Sequence, residues 1–319
     1  MPASERTIDE SPRRARVAAK GVAMPARALA RAALLLAGFA VGGCETSPTE
    51  LPARIDGTLR VATYNVHYIV LSEPTGAWSV GDWERRKRPL DAAFDTLDAD
   101  IVAFQEMESF AGGSGGEVNL TLDWLLARDP DYAAAAVGEA REFPSTQPIL
   151  YRADRLTVLE QGWFFFSETP DVIYSRTFDG SYPAFASWAR FEDLDSRETV
   201  SIVNVHFEFE SFSNRRKSAE LVARRIGPRT EAGERVLLVG DLNAWHGMRP
   251  IEILEEIGLS FLPVRGATYH MNRGIDLIGA IDHITHSPGL RPLGAPVVVR
   301  RKFEGEWPSD HYPVIADVR

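Results

Sequence analysis

The chain reads as an α/β fold, and three observations predict it. Short apolar runs rich in β-branched and aromatic residues recur from residue 59 to the C-terminus, and several of them end in polar residues. Between them lie segments whose apolar residues fall at helical spacing. No internal repeat and no domain-sized linker breaks the stretch from 58 to 319, so one domain is expected there. With 319 residues, 45% hydrophobic and 25% charged, the composition is that of a globular protein.

The first residues differ from the rest. Arg27 and Arg31 precede an apolar stretch from Ala32 to Val41, followed by Gly42-Gly43-Cys44. A basic region, an apolar core of about ten residues and a small-residue cleavage site read as a secretory signal, too short to span a membrane. Val41-Gly42-Gly43-Cys44 resembles a bacterial lipobox, so residues 1–44 are expected to be an export segment, with translation from Met1 or Met24, and Cys44 to carry lipid at the membrane. The expected product is a periplasmic or cell-surface lipoprotein and a monomer. Cys44 is the only cysteine, which excludes an intramolecular disulfide. Residues 45–57, with Pro48 and Pro52, make a polar tether. Of the chain's 35 Lys and Arg, seven precede residue 45, as do three of its 45 Asp and Glu; the remainder carries a formal charge of −14. So acidic a body argues against tight, nonspecific nucleic-acid binding, which draws its affinity from a basic surface.

The elements follow in order. Leu59 to His67 is a strand with Asn65 near its end, and Asp82 to Leu97 a helix with Trp83, Leu90, Phe94 and Leu97 on one face. Asp100 to Glu106 is an apolar strand ending in polar residues, followed by the glycine-rich loop Ala111 to Gly116. A helix near Leu120 to Ala127 precedes strands at Pro148–Tyr151 and Leu156–Phe166, whose Trp163-Phe164-Phe165-Phe166 run belongs to the core. A loop over 167–184 leads to paired strands at Phe185–Glu192 and Thr199–His206, then a charged helix from Arg215 to Arg229. Val236-Leu237-Leu238-Val239 has no alternation and is expected to be buried on both faces, with Gly240 permitting close approach at its end. If the extended backbone continues, Asp241 and Asn243 share one face and Leu242 takes the other. A helix at Pro250–Ile257 and strands at Ile281–Ile284 and Tyr312–Val318 complete the chain.

Polar residues thus stand at the ends of six apolar runs: Asn65, Glu106, His206, Asp241 with Asn243, Asp282, and Asp310 with His311. The segments YNVH, FQEM, VNVH, GDLN, IDHI and SDHYPV, in this order, resemble the motifs of the endonuclease/exonuclease/phosphatase superfamily. The resemblance runs from about Leu59 to the C-terminus. It departs at NVHFEFES, where relatives carry a form like NTHLDH, at GDLN for the commoner GDFN, and in lacking an arginine near Ala184, before Trp188.

The resemblance implies a four-layer α/β sandwich of two packed mixed β-sheets flanked by helices, and Mg²⁺-dependent hydrolysis of a phosphoester, most naturally a phosphodiester. It makes Glu106 the principal metal ligand, with Asn65 and Asp310 completing or orienting the shell. Such oxygen ligands suit Mg²⁺, or Mn²⁺ in its place. His311 is the expected general base, since an imidazole of ordinary pKa accepts a proton at neutral pH, and Asp282 would fix its tautomer. Asp241 and Asn243 would contact the attacking water and the phosphate, and His206 would donate to a phosphate oxygen. Glu142 resembles a glutamate that pairs with the first histidine. Trp78 and Trp83 are the candidates for contact with a bilayer, core packing being the alternative. The competing reading is a non-catalytic, lipid-anchored binding protein on the same fold.

Overall fold

The computed structural model describes residues 51–110, 118–180 and 182–319. The export segment, Cys44 and the Ala111–Gly116 loop lie outside the described residues.

Two six-stranded mixed sheets form the middle of the domain. In the first, β13 (Pro292–Val298), β14 (Val314–Val318), β1 (Leu59–Asn65), β3 (Ile101–Gln105), β6 (Ile149–Arg152) and β5 (Tyr132–Ala135) lie side by side in that order. In the second the order is β11 (Ser260–Phe261), β12 (Asp282–His286), β10 (Val236–Asp241), β9 (Thr199–His206), β8 (Phe185–Asp193) and β7 (Leu156–Phe165). A two-stranded ribbon, β2 (Ile69–Val70) with β4 (Ser109–Phe110), stands beside the first sheet's central strands in the chain. The helices are α1 (Val80–Leu97), α2 (Leu120–Arg128), α3 (Phe212–Glu231) and α4 (Arg249–Glu256).

Side-chain alternation builds the layers. Val61, Ile101, Ala103 and Ile149 of the first sheet share a core with Ile202, Leu237, Val239 and Ile284 of the second. Ala62, Val102, Phe104 and Leu150, their neighbours of opposite parity, pack with Trp83, Leu90, Phe94 and Leu97 of α1 and Leu125 of α2. Val203, Val205, Val236 and Leu238 do the same against Ala219, Val222 and Ile226 of α3 and Ile251 and Leu254 of α4. The unbroken apolar run at 236–239 is therefore buried on both faces, as its lack of alternation predicts. Truncating a fully buried leucine such as Leu237 to alanine costs about 2–5 kcal/mol.

Helix starts follow their caps. Ser79 Oγ accepts from Asp82 N at 3.0 Å at the head of α1, and Ser211 Oγ from Asn214 N at 3.1 Å at the head of α3. Elements without a sequence signal are the edge strands. β5 is an alanine-rich segment, and β13 carries Pro292, Gly294 and Pro296, residues that an edge strand tolerates and a central one does not. Of the Trp163–Phe166 run, Phe164, Phe165 and Phe166 are buried. Trp83 is a core residue, whereas Trp78 is exposed. Among the described residues no helix is long and apolar enough to cross a membrane.

Candidate active site

Strand direction and register gather the polar strand ends at one edge of the sandwich. β1 runs parallel to β3 with Asn65 beside Gln105, so Glu106 follows next to Asn65. β9 runs parallel to β10 with His206 beside Asp241. β12 is antiparallel to β10, which sets its first residue, Asp282, directly opposite Asp241. β14 is antiparallel to β1, so Asp310 and His311, which precede it, arrive at the same edge. Ligand sites of open α/β sheets sit beyond the carboxyl ends of parallel strands, and here two sheets contribute such ends together.

Gly240 makes the approach possible. It pairs with Val205 at φ 141°, and a Cβ built there would lie 1.9 Å from Val205 O. Below the site the sheets are joined by polar contacts, with Gln105 Nε2 donating to Asn204 Oδ1 at 2.7 Å and Asn204 Nδ2 to Phe104 O at 2.8 Å. These buried amides satisfy one another and fix one sheet relative to the other where the polar edge begins.

Asp241 is the hub. Asn65 Nδ2 donates to Asp241 Oδ2 at 3.2 Å and to Glu106 Oε1 at 2.9 Å, while Asn65 Oδ1 accepts from His67 N at 3.2 Å. His206 Nε2 and His311 Nε2 each stand 3.7 Å from Asp241 Oδ2, and His206 Nε2 is also 3.7 Å from Glu106 Oε1. Those separations are too long for direct hydrogen bonds. His311 Nδ1 pairs with Asp282 Oδ2 at 2.9 Å, and Tyr269 covers the imidazole with ring centroids 5.0 Å apart. Thr268 Oγ1 accepts from the N–H groups of Ile281 and Asp282 and so sets the head of β12. Ser309 Oγ donates to Asn65 O at 2.7 Å and accepts from His311 N, tying the last motif to the first.

The electrostatics are those of crowded, buried carboxylates. Burial, and then the charge of Asp310, raises Glu106 above the usual carboxylate range. Asp241 is pushed up to about 6 by burial and by Asp282. Asp310 goes the other way: burial would raise it, but the His311 charge beside it holds it below its ordinary value. Burial lowers His206, leaving it neutral. Burial also works against the His311 charge, yet Asp282, Asp241 and Asp310 together hold that imidazole well above its ordinary value. The expectation of an ordinary imidazole pKa is thereby corrected upward, because three carboxylates face the ring.

A cation suits this donor set. Glu106, Asp241 and Asp310 line one cleft, Glu106 and Asp241 are raised for want of positive charge, and Asp282 Oδ1 is buried without a partner. Asp241, Asp282 and His311 bring potential ligand atoms within 4.8 Å of one another. Oxygen donors without thiolate belong to a hard divalent ion. The His311–Asp282 bond accounts for two members of that trio and leaves Asp241; Glu106, to which Asn65 donates, and Asp310 line the same cleft and are the further carboxylates that could hold the ion.

Two expectations change. Asp241 and Asn243 do meet at the cleft, but through a turn and not through strand parity: β10 ends at Asp241, Asn243 has φ 46°, and its N–H donates to Asp241 Oδ1 at 2.9 Å. The Asn243 amide group donates to Phe207 O at 2.8 Å, so it braces the loop after β9. Leu242 is in the core, as parity requires. Glu142 is not part of the site. It lies exposed in a surface turn closed by Glu142 N to Glu139 O, its carbonyl accepts from Trp163 Nε1, and the nearby residue that lines the cleft is Gln147.

Sequence reasoning also passed over Arg86. Its guanidinium is buried, and it donates to the carbonyls of Val66, His67 and Pro308, holding the segments after Asn65 and before Ser309 together. The signal was its spacing from Trp83 and Leu90, which puts a charge on the apolar face of α1.

Comparison with known proteins agrees with this geometry. The model of the Endonuclease/Exonuclease/phosphatase family matches residues 62–311. A solved endonuclease/exonuclease/phosphatase family protein from Bacteroides thetaiotaomicron is 25% identical, with a TM-score of 0.67 over 82% of this chain and 97% of that one. A mannosyl-6-phosphatase from the same organism is also 25% identical, with a TM-score of 0.69 over 82% and 99% of the two chains. D. rerio TDP2 complexed with single strand DNA product, at 16% identity and a TM-score of 0.60 over 83% and 100%, shares the fold. No curated protein matches the chain in sequence.

Proposed function

The chain belongs to the endonuclease/exonuclease/phosphatase family, and from that premise we propose that it is a Mg²⁺-dependent phosphoester hydrolase working by in-line attack of water. Phosphoester hydrolysis is the family's chemistry; the metal, the mechanism and the substrate are the proposal. The observation that carries it is the His311–Asp282 pair facing Asp241 across 3.7 Å in a cleft that also holds Glu106 and Asp310.

Divalent metal bound at Glu106 and Asp310 would supply charge neutralisation for the phosphate and support for the leaving oxygen. The chain's own residues do the rest. Asp282 holds His311 Nδ1, which leaves Nε2 directed toward Asp241 Oδ2 and the space where a water is oriented between them. His311 Nε2 takes the proton of that water once the imidazolium has lost its own. His206, kept neutral by burial, offers an N–H to a phosphate oxygen, and Asn65 keeps Glu106 turned to the cleft.

The export reading accompanies this one: a lipid on Cys44 would hold the enzyme at a membrane, as a monomer. A non-catalytic binding protein would be expected to have lost at least one of these polar groups, and none is missing. The test is hydrolysis of p-nitrophenyl phosphate and bis-p-nitrophenyl phosphate with Mg²⁺, with Mn²⁺ and with EDTA. Metal-dependent release is expected; no turnover on either compound or on any wider phosphoester panel would favour the binding protein.

A further inference from the structure

The cleft has a volume of about 740 Å³, far more than one phosphate fills, and its outer part takes no role in the chemistry above. One wall of that part consists of Tyr68, Trp78 and Phe110 with Glu108. We propose that this wall is the leaving-group subsite and that it takes a neutral, hydroxyl-bearing ring, so that the substrate is a phosphate monoester of a sugar or cyclic polyol. The inference rests on the phosphoester-hydrolase reading.

The wall is a built platform. Tyr68 and Trp78 stack with centroids 5.7 Å apart and planes 22° apart, and Phe110 abuts Tyr68 at 5.3 Å. The β2–β4 ribbon sets them out. Tyr68 precedes β2, Phe110 ends β4, and Trp78 O accepts from Val70 N at 2.6 Å. Trp78 is 42% exposed and has φ 62°, a left-handed backbone that a bulky residue adopts only at a cost of about 1–3 kcal/mol. A strained, solvent-facing indole at the mouth of a catalytic cleft gives no core packing in return, and its use is to present a flat apolar face.

Glu108 supplies the polar half. Its carboxylate lines the same cleft and has neither a hydrogen bond nor an ion pair among the described residues. A carboxylate at this wall is an acceptor, and an uncharged donor can meet it without bringing a second charge into the cleft. Ring hydroxyls provide such donors while the ring's C–H face lies on the exposed Trp78 indole.

The charge of the cleft narrows the class. Glu106, Glu108, Glu210, Asp241 and Asp310 line it, against one arginine. That residue, Arg215, donates to the carbonyls of Glu208 and Phe209 and lies over the Phe212 ring, so it braces a loop. A nucleic-acid strand or a multiply phosphorylated ring would bring further phosphates against this acidic wall. In the reaction water adds to phosphorus, the ester P–O bond breaks, and the water proton ends on the sugar oxygen, releasing inorganic phosphate.

The experiment measures kcat/KM with Mg²⁺ on hexose 6-phosphates, inositol 1-phosphate, glycerol 3-phosphate, phosphocholine, AMP and bis-p-nitrophenyl phosphate. A ring-bearing hydroxylated monophosphate is expected to exceed glycerol 3-phosphate by at least tenfold. Trp78→Ala should lower that substrate's kcat/KM about tenfold or more, mostly through KM, and leave glycerol 3-phosphate within twofold. Trp78→Phe should restore most of the loss, and melting temperatures check that both variants fold. Equal use of glycerol 3-phosphate, preference for phosphocholine or AMP, or indifference to Trp78→Ala overturns the subsite while metal-dependent turnover leaves the hydrolase reading standing. Absence of turnover on the whole panel removes both.

Discussion

Replacing Asp282 by asparagine tests the central pair with the smallest change of shape. His311 Nδ1 meets Asp282 Oδ2 at 2.9 Å, and both side chains are buried. A hydrogen bond to a charged group contributes about 1.5–3 kcal/mol, so loss of positioning alone should lower kcat by about 10–150-fold. The tautomer adds to this. An asparagine that turns its amide nitrogen to Nδ1 leaves Nε2 protonated and unable to accept, and a comparable substitution in a Ser-His-Asp enzyme costs about 10⁴. We therefore expect a fall of about 10²–10⁴ in kcat on bis-p-nitrophenyl phosphate at saturating Mg²⁺, with KM changed by less than about threefold. The pH profile carries an independent sign. Asp282 is the foremost group holding His311 above its ordinary value, so its removal lowers the imidazole pKa, and the acid limb of kcat/KM should move to lower pH. A variant within threefold of wild type in kcat, with an unmoved acid limb, would refute the assignment of base and orienting carboxylate together.

Other consequences are as specific. Glu106→Gln should keep the fold and lose metal-dependent turnover by at least about a hundredfold, and the rise in Tm that Mg²⁺ gives the wild type should vanish with it, as calorimetry with and without metal would show. Gly240→Ala should destabilise by more than about 3 kcal/mol in urea unfolding, since the new Cβ would lie 1.9 Å from Val205 O between paired central strands; a loss under 1 kcal/mol would mean the strands part easily. His283 is buried, bonds Ala244 O through Nε2, and is pushed down to about 4 by burial, so the fold keeps it neutral while the unfolded chain protonates it near 6.5. Its effect is nil above about pH 6.5, and as pH falls toward 4 it withdraws up to about 3 kcal/mol of stability. His283→Gln should flatten the stability slope between pH 6.5 and 4 by close to one proton, and an unchanged slope would exclude His283 as its source.

Much of this was legible in the sequence because the signals were local. Core strands such as Val236–Asp241 declare themselves by apolar runs, and helices such as Val80–Leu97 by spacing and a serine cap. The polar strand ends at Asn65, Glu106, His206, Asp241, Asp282 and His311 were visible for the same reason, and sheet register brings them together. What escaped depends on tertiary context. Edge strands β5 and β13 acquire their hydrogen bonds from β6 and β14, not from any β-rich composition of their own. Asn243 reads as the next strand residue until its φ of 46° is known, because only the loop after β9, offering Phe207 O, decides that the chain turns there. Glu142 resembles a family glutamate that pairs with the first histidine, and here it lies exposed in a surface turn.

The pKa pattern of the site is the least legible feature and the most informative one. Each carboxylate alone would be an ordinary acid, and His311 alone an ordinary base. Brought to one edge by two antiparallel and two parallel pairings, they cannot all keep their usual charge: Asp241 is driven up to about 6, Glu106 upward, and His311 well above its normal value. Such a cluster is stable only where positive charge compensates it, and His311 supplies one such charge. A divalent cation beside Glu106 and Asp310 would supply the remainder and, by the same Coulomb argument, bring the imidazole down toward the range in which it can accept a proton. Metal binding and activation of the base would then be one electrostatic event, for which the raised carboxylates are the prepared state.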